Sequence, residues 1–306
     1  MHATRKALAA RLPAIDVVIE LLDARLPGSS ANPLLAELTS AKPALKVLNK
    51  QDLADPTVTE LWLAHLRAMP GTQALALDAT VAAPARVLVA ACRALVPGRG
   101  GMVKPVRVLI CGIPNVGKST LINTLVGQRS TKTGDEPGIT KDEQKIVLAD
   151  DFYLYDTPGM LWPRITVPES GLLLAASGGI GRNAYDEEEV AAALLAQVQV
   201  RYAERLGARY KLPDAEAARA EELLASIGRK RGALMAGGRV NLQKAAEIVI
   251  NDFRAGAWGR VTLETPDEFG AWRSAGMERE AERLTRKRQR EAKPVPQRDA
   301  DRDPRD

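Results

Sequence analysis

Two short clusters in this 306-residue chain have the residue types and spacing of nucleotide chemistry. The first, Gly112-Ile113-Pro114-Asn115-Val116-Gly117-Lys118-Ser119, follows an apolar run and leads into a helical pattern. Its glycines let successive backbone N–H groups approach an anion, and the helix that follows adds its positive end. In such a loop the residues from Asn115 and Val116 through Gly117 to Thr120 surround the phosphates. Lys118 reaches the β- and γ-phosphates, and the Ser119 hydroxyl binds Mg²⁺. The loop alone does not choose a base, since ATPases share it. Asn49-Lys50-Gln51-Asp52 does: Asp52 can accept from the N1–H and the 2-amino group of guanine, a pair of donors that adenine lacks. Asn49 would tether the loop and Lys50 would pack along the base. Unpaired acceptors there would disfavour an adenine nucleotide by about 10⁴-fold or more where the site is well buried. An isolated Asn-Lys-x-Asp is more often a polar turn after a strand; its pairing with the phosphate loop makes the guanine reading the stronger one, with GTP and GDP as the implied ligands.

Asp156-Thr157-Pro158-Gly159 ends another apolar run and supplies a third element. Asp156 would hold Mg²⁺ through water and the Gly159 N–H would sense the γ-phosphate. The polar stretch Thr131–Lys141 suits a switch, with Thr140 the candidate Mg²⁺ ligand and Thr131 and Thr133 as alternatives. Lys118, Thr140 and Gly159 are thus the catalytic candidates, and Asp78-Ala79 is the best match for a backbone contact to the base. Met160 stands where many GTPases carry a water-orienting glutamine, and its side chain cannot position water by hydrogen bonding. Unassisted hydrolysis should then run on the order of 10⁻⁴ to 10⁻² s⁻¹, with a partner able to add roughly 10³ to 10⁵-fold. Met160 would equally be explained by packing on Leu161 and Trp162, and both readings can hold at once.

The order of these clusters decides the architecture. The guanine cluster precedes the phosphate loop, the reverse of the ordinary arrangement, so the strands must be joined in circularly permuted order. Strands are expected at 17–22, 44–48, 74–77, 106–111, 144–148 and 152–155, separated mostly by helical patterns or long crossovers, and residues 1–12 read as a basic amphipathic helix. The fold class is therefore α/β: a circularly permuted P-loop GTPase domain with a doubly wound, mostly parallel sheet over residues 1–165. Its nucleotide clusters fall just after strand ends, where such sheets bind ligands. A small all-α domain follows over 166–270. Asp186 and the acids after it open one long helix carrying Leu194, Leu195, Val198 and Tyr202 at helical spacing; a second helix follows Pro213 and a third spans 241–253. Residues 271–306 are highly charged and read as a disordered, solvated tail, or alternatively as an arm that contacts RNA.

Composition narrows the partners. Lys plus Arg exceed Asp plus Glu by 43 to 38, a net charge of +5, which permits a nucleic-acid partner without requiring one. Cys92, Cys111, His2 and His65 are the only thiols and imidazoles, too few and too scattered for structural zinc. Arg5, Lys6 and Arg11 interrupt the apolar start and no run reaches membrane-spanning length, so the expectation is a soluble, cytoplasmic, reduced monomer with no membrane partner.

Together these residues resemble the YlqF/RbgA family of circularly permuted GTPases. The likeness runs from about Met1 to Pro266 through Asp23-Ala24-Arg25-x-Pro27, Ser29-Ser30-x-Asn32-Pro33 and Pro137-Gly138-Ile139-Thr140. It continues through Gly159-Met160-Leu161-Trp162-Pro163, Ile227-Gly228-x-Lys230-Arg231-Gly232 and Gly237-Gly238. The resemblance implies late assembly of the large ribosomal subunit, with its precursor and rRNA as partners. It also implies a hydrophobic residue in place of the catalytic glutamine, matched by Met160, and a helical domain that docks on rRNA, for which Arg229, Lys230, Arg231 and Arg239 are candidates. Asn115 matches an asparagine associated with K⁺ beside the phosphates; equal turnover in Na⁺ and K⁺ buffers would remove that expectation. The family's proposed catalytic histidine lies in a Gly-His-Met sequence whose methionine aligns with Met1, so His2 is displaced from it by two positions. Either His2 substitutes, or the start lies upstream, or neither histidine acts. The rival readings are a GTPase in another RNA-maturation step and an RNA-binding scaffold that uses GTP only for structure.

Overall fold

The computed structural model describes residues 2–79, 84–127, 145–213 and 215–291, limited to the backbone at 2–4, 7, 84, 290 and 291. Six strands lie where the apolar runs place them: β1 (Val17–Asp23), β2 (Ala44–Asn49), β3 (Thr72–Ala76), β4 (Val106–Gly112), β5 (Lys145–Ala149) and β6 (Phe152–Asp156). They form one sheet in the order β3-β2-β1-β4-β6-β5, parallel throughout except where β5 runs against β6. The chain moves outward from β1 to β3, returns to lay β4 on the other side of β1, and then moves out the opposite way. The reversal leaves a crevice at the carboxyl ends of β1 and β4, the place where doubly wound sheets bind ligands.

Strands β1 and β4 read as apolar runs, broken by Glu20, which is buried and paired with Lys46, and by the exposed Arg107, because both their faces are covered. Val17, Ile19 and Leu21 enter one cluster with Val108 and Ile110, while Val18 enters another with Leu109 and Cys111. Helices α1 (His2–Arg11), α2 (Pro27–Ser30), α3 (Pro33–Thr39), α4 (Pro56–Arg67), α5 (Pro84–Leu95) and α6 (Lys118–Gly127) accompany the sheet. Their starts are written in the sequence. The Asn32 carboxamide oxygen accepts from the Leu34 and Leu35 N–H groups, the Asp55 carboxylate from those of Thr57 and Val58, and each cap precedes a proline at the first helical position.

Four helices follow: α7 (Pro168–Ser177), α8 (Glu187–Tyr210), α9 (Ala220–Lys230) and α10 (Leu242–Arg254). Helix α8 starts at an Asp186 cap and buries Leu194, Leu195, Val198 and Tyr202 as their spacing demands. It kinks at Tyr202 (φ −134°, ψ 29°), whose hydroxyl donates to Asp55 Oδ2 at 3.0 Å and accepts from the Thr262 N–H. Helix α9 does not begin directly after Pro213. The Gln199 amide donates to the Ala215 and Ala218 carbonyls, holding a turn ahead of Ala220. These helices share one apolar cluster with the sheet, from Val17 through Leu174, Leu195 and Phe253 to Leu263, so the all-α part has no separate core.

The expected tail differs as far as residue 291. Residues 266–291 form one helix, α11 (Pro266–Glu291), so the boundary drawn at 270 falls inside a helix. Its first turns are docked: Phe269 packs on Trp62 with ring centroids 6.1 Å apart, and a Cβ on Gly276 would come within 2.7 Å of the Thr166 carbonyl. Farther along, Arg283 pairs with Glu280 and Arg286 with Glu282, helical pairs that suit the charged sequence to a solvated helix. Residues 292–306 lie outside the described part. Among the described residues no helix is long and apolar enough to cross a membrane.

Between α10 and α11 the chain returns to the sheet, and Glu264 becomes fully buried there. One carboxylate oxygen accepts from the Ser29 N–H at 2.7 Å, and Ser29 Oγ lies between the other oxygen and Ser170 Oγ. Burial outweighs those hydrogen bonds and raises the Glu264 pKa from 4.5 to about 7. A carboxyl whose folded pKa is raised adds stability that is fully present below about 4.5 and is lost as pH rises through about 7. Glu264→Gln keeps the shape and removes the titration. Between pH 5 and 8 the unfolding free energy of the native chain should therefore fall by about 2–3 kcal/mol relative to the variant in urea titrations; parallel pH curves would refute this.

Candidate nucleotide site

The phosphate loop leaves β4 at a point where side chains do not fit. A Cβ on Gly112 would lie 2.8 Å from the Leu21 carbonyl oxygen, and one on Gly117 (φ +97°) only 2.2 Å from Asn49 Nδ2. Asn115 also adopts a left-handed conformation, at φ 58°. This alternation curls the main chain so that α6 starts at Lys118, with its amino end at the loop. The cleft there, about 470 Å³, is lined by Lys50, residues 113–115, residues 117–120 and Gly159.

Asn49 closes the site from the other side of the crevice. Its Nδ2 donates to the Val116 carbonyl at 2.8 Å, and its Oδ1 accepts from the Ala79 N–H at 3.0 Å. One buried side chain thus joins the guanine cluster, the phosphate loop and the Asp78-Ala79 turn. Thr124 on α6 holds that turn from above by donating to the Ala79 carbonyl. Asp78 is half-buried and Asp52 stands exposed in the turn after β2. Arg260 braces that turn by donating to the Gln51 and Ala54 carbonyls.

Lys50 is left-handed (φ 62°), and its ammonium donates to Asp23 Oδ2 at 2.8 Å and to the Asn115 carbonyl at 2.9 Å. The Lys118 ammonium and the Asp156 carboxylate form an ion pair, and Thr157 donates to the Ile110 carbonyl. Gly159 lies where a Cβ would be 3.2 Å from Pro114 Cα and N, so a side chain there would crowd the phosphate loop. Met160 is placed differently from the packing alternative. Its N–H donates to the Gly112 carbonyl and its carbonyl accepts from Asn32 Nδ2, while the side chain packs with Leu8, Leu12 and Leu35 beneath α1 and α3. Leu161 and Trp162 pack against the other cluster, the one the sheet shares with α7–α10. Thr131, Thr133 and Thr140 lie outside the described residues, as does the side chain of His2.

Several residues that complete the site were legible only as family markers or not at all. Asp23, ending β1, is 1% exposed. Burial pushes its pKa up, but Arg25 and Lys50 beside it pull harder and hold the carboxyl well below the ordinary range. The charged triplet Asp23-Ala24-Arg25 at the end of an apolar strand was the available signal. The Asn115 amide donates to the Gly178 carbonyl at 2.7 Å, tying the phosphate loop to the end of α7. Arg254 of α10 caps the same helix end through the Ala175 and Ala176 carbonyls. Nothing in the sequence announced those two contacts. The thiols are not part of the site: both are buried, and burial pushes the Cys92 pKa up to about 12. Arg229, Lys230 and Arg239 lie exposed around the turn after α9, whereas Arg231 stacks over Tyr210 and pairs with Asp252.

Comparison with known proteins agrees with this geometry. Residues 107–222 match the family described as 50S ribosome-binding GTPase. That match begins in β4, so the guanine cluster precedes it in the chain, as permutation requires. Ribosome biogenesis GTPase A of Bacillus cereus is 41% identical over 277 residues, covering 88% of this chain and 93% of the relative. The mitochondrial ribosome-associated GTPase 1 of Xenopus tropicalis is 32% identical, with 85% and 90% covered. Among solved structures, GDP-bound YlqF aligns over 85% of this chain and 99% of its own at a TM-score of 0.64 and 24% identity, a likeness of fold. GNP-bound YlqF from T. maritima aligns at 0.62 over 87% and 99%, also at 24% identity. The motif order, the sheet order and near full-length identity converge: the chain belongs to the ribosome biogenesis GTPase A family of circularly permuted GTPases.

Proposed function

We propose that the protein binds GTP across the crevice between β1 and β4, hydrolyses it slowly alone and rapidly on a precursor of the large ribosomal subunit, and so acts late in that subunit's assembly in the cytoplasm. The observation that carries the reading is the Asn49 bridge, which draws the guanine cluster and the phosphate loop, 67 residues apart, into one site. The names of the relatives support the ribosomal setting.

Each residue then has a physical task. Asp52 accepts from the guanine edge, Asn49 fixes the reading loop, and Lys50 lies along the base. The Asp78-Ala79 turn, fixed through the Ala79 N–H, flanks the base from the other side. The curled main chain from Asn115 to Thr120 and the amino end of α6 surround the phosphates, and Lys118 adds a cation. Ser119, which follows Lys118 on the cleft wall, and Asp156, which pairs with the Lys118 ammonium, are hard oxygen donors of the kind that fits Mg²⁺, and Thr140 would add a third. Mg²⁺ held there would neutralise phosphate oxygens, and K⁺ at Asn115 would add charge beside them. Gly159 brings its N–H beside the phosphate loop to sense the γ-phosphate. With Met160 turned into the cluster under α1 and α3, position 160 offers no group to orient water. Water orientation then falls to the ribosomal partner or to His2. Docking on rRNA falls to Arg229, Lys230 and Arg239, whose exposure suits phosphate contacts.

Base choice is the first test. Native protein should prefer GTP to ATP by about 10⁴-fold in competition binding. Asp52→Asn replaces an acceptor with a donor facing the guanine N–H groups, so it should lose guanine affinity and gain affinity for xanthine nucleotides; undiminished GTP binding would refute the assignment. The second test is single-turnover hydrolysis with and without large-subunit precursors. Acceleration on the order of 10³-fold or more is expected with them, and Arg229→Glu combined with Lys230→Glu should abolish it along with co-sedimentation. No acceleration by the particle would favour the scaffold reading instead.

A further inference from the structure

We propose that Asp23 and Arg25 are positioning residues for Lys50: their buried pair holds the lysine ammonium against the phosphate loop and fixes that arrangement to the carboxyl end of α10. The inference rests on the reading that Lys50 lies along the base of a bound guanine nucleotide.

Asp23 ends β1 beside β4, at the point where the sheet order reverses. Every side of its carboxylate is committed. Oδ1 accepts from the Arg25 backbone N–H and from Arg25 Nε, both at 3.0 Å, and Oδ2 accepts from Arg25 Nη2 and Lys50 Nζ, both at 2.8 Å. The remaining end of the guanidinium, Nη1, donates to the Phe253 carbonyl at 3.1 Å, and the plane lies 4.3 Å from the centre of the Phe253 ring. A bidentate fork of this kind fixes direction as well as distance.

Lys50 needs such a fixture. It sits on the cleft wall with its side chain 21% exposed, its backbone is left-handed, and a free lysine stem has several rotamers of similar energy. The buried carboxylate selects the one that places Nζ within 2.9 Å of the Asn115 carbonyl. A pair serving the fold alone would not require that lysine, because the Arg25 fork already neutralises Asp23. The next residue of α10, Arg254, holds the end of α7 beside Gly178, the acceptor for Asn115. Lys50 and Asn115, neighbours in the cleft, are therefore both referred to consecutive residues of one helix.

The test uses the full chain and a fluorescent GDP analogue, titrated well below the melting temperature of each nucleotide-free variant, which is measured separately. Asp23→Asn should weaken GDP binding about tenfold, with the loss in turnover falling on KM more than on kcat. Lys50→Met, which leaves the Asp23–Arg25 pair intact, should weaken it at least as much. The double variant should bind no more weakly than Lys50→Met alone, because Asp23 acts through Lys50. Losses that multiply in the double variant would overturn the proposal. So would an Asp23→Asn protein of lowered melting temperature but unchanged affinity. If Asp23→Asn does not fold, Lys50→Met decides alone: GDP affinity within twofold of native refutes the positioning role. A native chain that bound neither GDP nor GTP would instead overturn the functional reading on which this rests.

Discussion

A carboxylate taken out of water must be neutralised where it stands, and at the end of β1 that requirement organises the crevice. Asp23 is answered by Arg25 from its own loop and by Lys50 from the end of the neighbouring strand. Removing one member of such a buried pair typically costs about 3–5 kcal/mol, because the other charge is left uncompensated. The pair therefore need not add much to the net stability of the fold to be indispensable to its local geometry. Around it, Ser30 Oγ accepts from the Asp23 N–H and the Asn49 carbonyl accepts from the Ala24 N–H, so the turn after β1 and the end of β2 share one hydrogen-bonded frame.

The helices that follow the GTPase core are joined to this frame at several points. The short path from Gly159 to α7 is the one the permutation makes obvious. The folded chain adds others, among them Asn115 to Gly178, Arg25 to Phe253, and Arg260 to the carbonyls of Gln51 and Ala54. The Arg260–Glu264 stretch lies against the guanine turn, with the Val261 N–H donating to Leu53 and the Leu263 N–H to Arg25. Both nucleotide loops are therefore hydrogen-bonded to the segments that follow the core, and the apolar cluster runs without a break from the sheet into those helices.

Much of this was readable in advance for identifiable reasons. Strands covered on both faces are mostly apolar, so β1, β2 and β4 stood out as runs interrupted only by Glu20, Lys46 and Arg107 before their ends. The nucleotide clusters stood out because few residue types can approach a phosphate or pair with guanine. Helix α8 was legible from its acidic start and its buried spacing. Charge density alone does not distinguish a disordered segment from a solvated helix: residues 271–291 are rich in good helix formers, carry ion pairs one turn apart, and continue a helix whose start is docked through Phe269 on Trp62. For Met160 the lack of a polar group is legible from residue type, whereas its membership of the cluster with Leu8, Leu12 and Leu35 is not, since sequence adjacency to Leu161 and Trp162 does not fix which cluster a side chain meets.

The sequence by itself determined the nucleotide chemistry, the permuted order and the family, because these depend on residue type and on order along the chain. Only the tertiary structure decided which distant groups answer the charges that this chemistry brings into the core. That Asn49 spans the crevice to Val116 and Ala79 follows from sheet register, as does the placement of Asp23 between Arg25 and Lys50. That Arg25 ends on a carbonyl of α10, and that Glu264 is buried on Ser29, follows from how the last helices return to the sheet. Hydrogen-bond partners from 27 to 235 residues apart leave no periodic or compositional trace; they are selected by the requirement that buried polar groups be paired.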